Sequence, residues 1–238
     1  MPTDTDKYKG IYYMLLASLA FSAMSGFVKT LKPSFTSPQL VLYRNAIGLL
    51  FLSFSLFRKP PRQTGGRLGL LVARGMLGTF ALYTLMFVIL HVPLGTAMTY
   101  NSMNTFYIAL LASWWMGERL TRWSWLCILG GFTGILFIYR PSDAISWHYH
   151  WVGLLHGLFS ALAYLSISSL NKHYDTRVIV LSFLSCGFIL PLLMMGFRIS
   201  TGLPADEFFF PDFRWPVGKE SIELLGMGVS ALIGQYYV

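Results

Sequence analysis

Along the chain, long apolar runs alternate with short polar segments. The runs stand at Ile11 to Leu31, Gln39 to Phe57, Leu68 to Leu90, Thr96 to Met116, Trp123 to Tyr139, Val152 to Leu170, Val178 to Phe197 and Glu223 to Val238, most of them 17 to 23 residues long. At 1.5 Å rise per helical residue, roughly 20 residues cross the ~30 Å hydrocarbon layer of a bilayer. A helix also satisfies its own backbone N–H and C=O groups there, which an irregular chain cannot do. The pattern therefore predicts an all-α membrane protein with seven complete spans and an eighth that reaches the last residue. The first run is too long for a signal-peptide core and lacks a cleavage site, so it reads as a retained helix.

Composition narrows the class further. The 238 residues are 55% hydrophobic and 12% charged, against roughly 25% charged in a globular chain, which excludes a water-soluble domain. The net charge of +8 comes from basic residues scattered between apolar runs, not from a patch, so nucleic acid is not an expected partner. Cys127 and Cys186 both lie inside apolar runs with no Cys or His at ligand spacing; neither a disulfide framework nor a metal site is expected. No cofactor is expected, and the lack of a GxxxxGK[ST] run leaves an ATP-driven pump unsupported.

Orientation follows from the basic residues near run ends, which are retained on the cytoplasmic side. The N-terminus and the second, fourth and sixth loops hold Lys7, Lys9, Arg58, Lys59, Arg62, Arg67, Arg119, Arg122, Lys172 and Arg177; the other loops hold Lys32, Arg140, Arg198, Arg214 and Lys219. The bias places the N-terminus in the cytoplasm of a multi-pass protein of the cytoplasmic (inner) membrane.

The chain also resembles itself. Gly10 to Lys29 written over Gly153 to Lys172 pairs Gly10 with Gly153, Leu15 with Leu158, Leu19 with Leu162, Ala20 with Ala163, Ser25 with Ser168 and Lys29 with Lys172. With four residues dropped from the following loop, Leu42 meets Leu181 and Gly48 meets Gly187. A unit that begins at the first helix and restarts at the sixth holds five spans, an odd number, so the second copy enters from the opposite side. Inverted repeats of this kind characterise secondary transporters that rock around a site near the midplane. The competing reading is chance similarity between two helices rich in Gly, Ala and Ser.

Several segments together resemble the EamA domain of the drug/metabolite transporter superfamily. They are the Lys29 end of the first helix, Pro38 to Arg44 (PQLVLYR), the Arg74–Gly75 pair, Val92 to Ala97 (VPLGTA), Ala109 to Leu120 (ALLASWWMGERL) and Gly130 to Leu136 (GGFTGIL). The pattern covers residues 8 to 140 and, more weakly, 151 to 238. The resemblance implies ten helices in two inverted five-helix repeats, both termini cytoplasmic, and small metabolites moved by alternating access. Two features depart from it: Thr105 stands where the family usually has a proline in the fourth helix, and the second repeat holds only about three helices. The chain accordingly reads as a fragment of a longer protein.

Charged and polar residues inside apolar runs are the candidate chemistry. A charge at the centre of a span costs about 2.5 to 3.5 kcal/mol and so faces protein or a water-filled cavity. Arg44 and Arg74 both lie roughly 10 Å from a helix end, with helix-junction support and pathway lining as equal alternatives. Tyr100, Asn101 and Asn104 form the densest uncharged polar stretch, and the two asparagines, three apart, share a face and can donate and accept at once. Substrate lining there competes with interhelical bonding. Tyr83 and His156 join the substrate-binding candidates, His156 with helix packing as the blander alternative. Gln235, which the repeat sets near Thr84, is a further candidate because the resemblance implies that its helix borders the central cavity.

Lys29 and its repeat partner Lys172 fall at opposite mouths and are expected gate residues, against simple snorkelling to the interface. Glu118, in the turn before the fifth helix, reads as a structural cap, and Pro191 is expected to bend the seventh helix. A secondary transporter with a small-molecule substrate, embedded in the lipid bilayer, is the expected function, proton-coupled or exchanging, with a homodimer left open. An integral-membrane enzyme and an inactive remnant or adaptor are the alternatives; the first needs a clustered acid, base or nucleophile that the sequence does not offer.

Overall fold

A computed structural model describes residues 4–61, 65–115, 121–139, 146–204, 206, 208–209 and 212–237. Eight helices occupy the described residues: α1 (Asp4–Thr30), α2 (Ser37–Arg58), α3 (Leu68–His91), α4 (Leu94–Trp115), α5 (Arg122–Tyr139), α6 (Trp147–Leu170), α7 (Thr176–Thr201) and α8 (Lys219–Tyr237). Each apolar run became a helix. Five of them, α1, α2, α3, α6 and α7, are long and apolar enough to cross a membrane by length and composition. α4, α5 and α8 do not meet that measure among the described residues; α4 carries the polar stretch Tyr100 to Asn104, and α8 opens on Lys219, Glu220 and Glu223.

Burial runs opposite to that of a soluble protein. Phe57 is 90% exposed, and Trp114, Trp123, Ile199 and Tyr236 are also bare, while Ser25, Gln39, Arg44, Asn45, Thr79, His156 and Ser160 are buried. Large apolar side chains outside and polar groups inside suit a hydrocarbon surround, which gives apolar surface no reason to hide and polar groups no partner. The chain is an all-α, multi-pass membrane protein.

The helices gather into two compact units, Met1–Ser55 with Phe188–Val238, and Leu56–Gly187. In the first, α1 packs along α8. The buried face of α1 is Ala17, Ala20, Met24 and Val28, three to four residues apart, and that of α8 is Leu224, Met227 and Ala231, the spacing of one helical stripe. Small residues let the backbones close up, as expected where packing and not hydrophobicity drives helix association: a Cβ on Gly226 would meet the Phe27 ring at 2.7 Å.

Polar bonds tie together one end of this unit. The Thr30 hydroxyl donates to Glu223 (3.2 Å), Ser34 donates to Glu220, Arg214 pairs with Glu220 (3.1 Å), and Gln39 Nε2 donates to the Asp212 carbonyl. The α7–α8 connection is thereby fastened over the α1–α2 turn. The hydrogen bond from Ser34 holds the Glu220 carboxyl below the usual carboxylate range.

In the second unit α6 is central, lying against both α3 and α4. The approach is close because of Gly153, where a Cβ would stand 2.5 Å from the Tyr100 ring. α3 also meets the first half of α7: Ser182 donates to the Leu71 carbonyl (2.8 Å), and a Cβ on Gly75 would meet Ser182 Oγ at 2.6 Å. Beside this seam Leu71, Leu170, Tyr174 and Ile179 form a buried cluster. Asp175 bonds the Arg177 backbone N–H and guanidinium at the start of α7, and these bonds hold its carboxyl below the ordinary range.

Candidate functional site

The second unit contains a polar cluster where α3, α4 and α6 meet. His156, the fifth residue of the sequence-predicted span, is 3% exposed. Its Nδ1 lies 2.7 Å from the Ala81 carbonyl of α3 and its Nε2 3.0 Å from the Asn101 side-chain oxygen of α4. One imidazole thus joins three helices. A carbonyl can only accept, so Nδ1 carries a proton. The neutral ring then offers an acceptor at Nε2, which Asn101 fills by turning its NH₂ toward the ring; a protonated ring donates to Asn101 Oδ1 instead. The amide serves either state of the ring by rotating.

One turn further along α4, Asn104 Nδ2 donates to Ser160 Oγ on α6 at 3.4 Å, while Thr105 donates back to Asn104 Oδ1 at 3.1 Å. Thr105 is part of this chain of bonds. Tyr100, buried, is hydrogen-bonded to His150 Nδ1. Tyr83 is buried in α3. Of the residues singled out from sequence, Tyr100, Asn101, Asn104 and His156 thus lie along one α4–α6 seam in three separate bonded pairs, to which the structure adds Ser160 and His150.

His148 and His150 both stand in the first turn of α6, which begins at Trp147. His91, at the end of α3, stacks on Tyr149 with ring centroids 5.1 Å apart. Among the described residues no group of three His, Cys, Asp or Glu is placed to hold a metal ion.

Arg74 lies in the second turn of α3. Its guanidinium faces the Phe183 ring of α7 at 5.6 Å, and its Nη1 lies over Gly78, in space that any Cβ there would occupy. The side chain thus runs toward the middle of α3, the opposite of snorkelling. Nε and Nη1 are fully enclosed with no hydrogen-bond acceptor.

The remaining candidates lie elsewhere. Arg44, 4% exposed in α2 of the first unit, donates from Nη1 to Asn45 Oδ1 at 3.1 Å. Lys29 is half-buried and Lys172 exposed, and Gln235 is half-buried in α8. Pro191 stands buried inside α7, which continues as helix through it. Glu118 lies outside the described residues.

Residues 8–140 match the EamA-like transporter family. The chain belongs to that family: it is a secondary transporter of small molecules and not an enzyme. It is 29% identical over 237 residues to the pseudopaline exporter CntI of Pseudomonas aeruginosa strain UCBPP-PA14, covering 96% of this chain and 76% of that protein. It is likewise 29% identical over 239 residues to an uncharacterized transporter of Helicobacter pylori strain ATCC 700392 / 26695, with the same shares covered. A protein of known crystal structure superimposes with a TM-score of 0.66 over 99% of this chain and 78% of its own, at 15% identity, a likeness of fold alone.

Proposed function

We propose that the protein carries a small polar solute across the cytoplasmic membrane by alternating access of two inverted repeats, a five-helix one over residues 8–140 and an incomplete one of about three helices over residues 151–238, with the N-terminus in the cytoplasm. The observation that carries this is the pair of part-buried bonds, His156 to Asn101 and Asn104 to Ser160, one turn apart on α4, since uncharged polar side chains clustered among apolar helices suit a solute that must shed water.

The helix pairings support the second repeat. The repeat matches α1 with α6 and α3 with α8, and within the first unit α1 packs on α8 while within the second α6 packs on α3. Gly75 of α3 approaches Cys186, and Gly228 of α8 approaches Ile47; Ile47 and Cys186 are themselves 139 apart, the same offset as Leu42 and Leu181. The relative named as an exporter favours outward movement.

Reconstitution in liposomes tests the reading. Saturable uptake of some member of a metabolite panel is expected, with Asn101→Ala and Asn104→Ala raising KM about tenfold while protein yield stays level, the size of one lost bond of about 1.4 kcal/mol. Lower yield with unchanged KM would reduce the asparagines to packing. Lys29 and Lys172 are assigned as gates at opposite mouths: Lys29→Gln combined with Lys172→Gln should slow flux, and unchanged flux would remove that role.

A further inference from the structure

We propose that Arg74 binds an oxyanion of the transported solute, so that the solute is a small acid bearing a carboxylate or phosphate; this rests on the transporter reading above. An arginine keeps its proton in any protein environment, so the charge in the second turn of α3 has to be met by other groups. The chain offers little to meet it. Between Asp6 and Glu118 there is no Asp or Glu, a stretch that takes in the first four helices except the opening turn of α1.

Within the compact unit that holds Arg74, the one carboxylate among the described residues is Asp175. Both of its oxygens are already taken by Arg177, Oδ1 at 2.9 Å from the backbone N–H and Oδ2 at 2.8 Å from Nη2. The Tyr164 phenol is an electrostatic neighbour of Arg74 but makes no hydrogen bond to it.

What surrounds the guanidinium holds it without satisfying it. Phe183 covers one face, and Gly78 clears the space in which Nη1 lies. Nε and Nη1 have neither water contact nor acceptor, whereas Nη2 is not enclosed. Leaving buried donors of a charged group unmade is costly. A guanidinium is a planar fork suited to carboxylate or phosphate oxygens, and Nη2 is the prong left open to one. Arg44 shares an enclosed Nε but differs at Nη1, which donates to Asn45 Oδ1.

The test uses the full chain in nanodiscs of neutral phosphatidylcholine, with thermal unfolding followed during titration of acetate, succinate and inorganic phosphate against chloride at matched ionic strength. A saturable rise in Tm beyond that of chloride is expected. Arg74→Gln should weaken the apparent affinity about tenfold to hundredfold, as for loss of hydrogen bonds to a charged group, and Arg74→Lys should keep part of it as a point charge without the fork. An equal response in Arg74→Gln, or none in the unaltered chain, overturns the proposal. Should Arg74→Gln fail to fold, Arg74→Lys decides: a lysine variant with undiminished affinity for succinate and phosphate overturns the proposal. Phosphatidylglycerol mixed into the disc separates the sources of the oxyanion. A response that persists favours a solute; one that disappears assigns the site to lipid phosphate and overturns the solute assignment. Uptake of neutral solutes that Arg74→Gln leaves unchanged, with no anion response, defeats this inference and keeps the transporter reading. An Arg74-dependent anion response without flux of any panel solute does the reverse.

Discussion

His156 shows how much one side chain can organise when water is excluded. Its two ring nitrogens reach α3 and α4 from α6, and hydrogen bonds between membrane helices average about 0.6 kcal/mol each, with the best near 1.7. Replacing it by alanine removes both and leaves Asn101 short of a partner. His156→Ala should therefore lose about 1 to 3 kcal/mol, read as a lower midpoint of thermal unfolding in detergent. At this scale the sequence was partly legible. Asn101, Asn104 and His156 announced themselves as polar residues in apolar runs, but Ser160 did not, because a serine or threonine in an apolar helix is as readily satisfied by its own backbone. Ser25 bonds the Phe21 carbonyl and Thr84 the Phe80 carbonyl in just this way. Only the packing of α4 on α6 decides that Ser160 faces Asn104. Arg74 likewise could be placed in depth from sequence, but its direction depends on Gly78 and Phe183, which nothing in the linear pattern connects.

Helices as elements were the most legible part, since period and length are set by the backbone and the bilayer. Their ends were less so: α6 starts five residues before its apolar run, because Trp147 to Trp151 mixes aromatic and polar residues that hydropathy reads as loop. The seam between α4 and α6 depends on Gly153. A methyl group there would run into the Tyr100 ring, and Gly153→Ala should destabilise by about 1 to 3 kcal/mol as for an overpacked core, measured by the same unfolding assay. The link between α8 and the α1–α2 turn is sensitive to acid. Glu220 has a folded pKa below its unfolded one, chiefly through the Ser34 hydrogen bond, so its contribution is complete above the ordinary carboxylate range and disappears as pH falls through the folded value. Ser34→Ala should lower Tm at neutral pH, and the gap from the unaltered protein should close on acidification below about pH 4. A gap that stays constant with pH would mean that Ser34 acts through packing.

At the scale of the whole molecule, the self-similarity of the sequence did not say which helices would be neighbours. The proposed repeats are consecutive in the chain, whereas each compact unit draws from both ends or from the middle, because a helix finds its partner by the fit of small residues and polar groups and not by order of synthesis. Residues 8–140 carry the family pattern, yet α3 within them packs on α6, beyond their end. The partnership of α1 with α8 has a consequence for how the protein is made. Thr30 and Glu223 bond across a separation of 193 residues, and at roughly 5 to 20 residues per second a ribosome needs about 10 to 40 s to supply the second after the first. During that interval the Ala17–Ala20–Met24–Val28 stripe of α1 lacks the α8 face on which it packs in the finished fold, so α1 waits for its native partner until the six helices between them have been made, with a small-residue stripe open to other partners in the meantime.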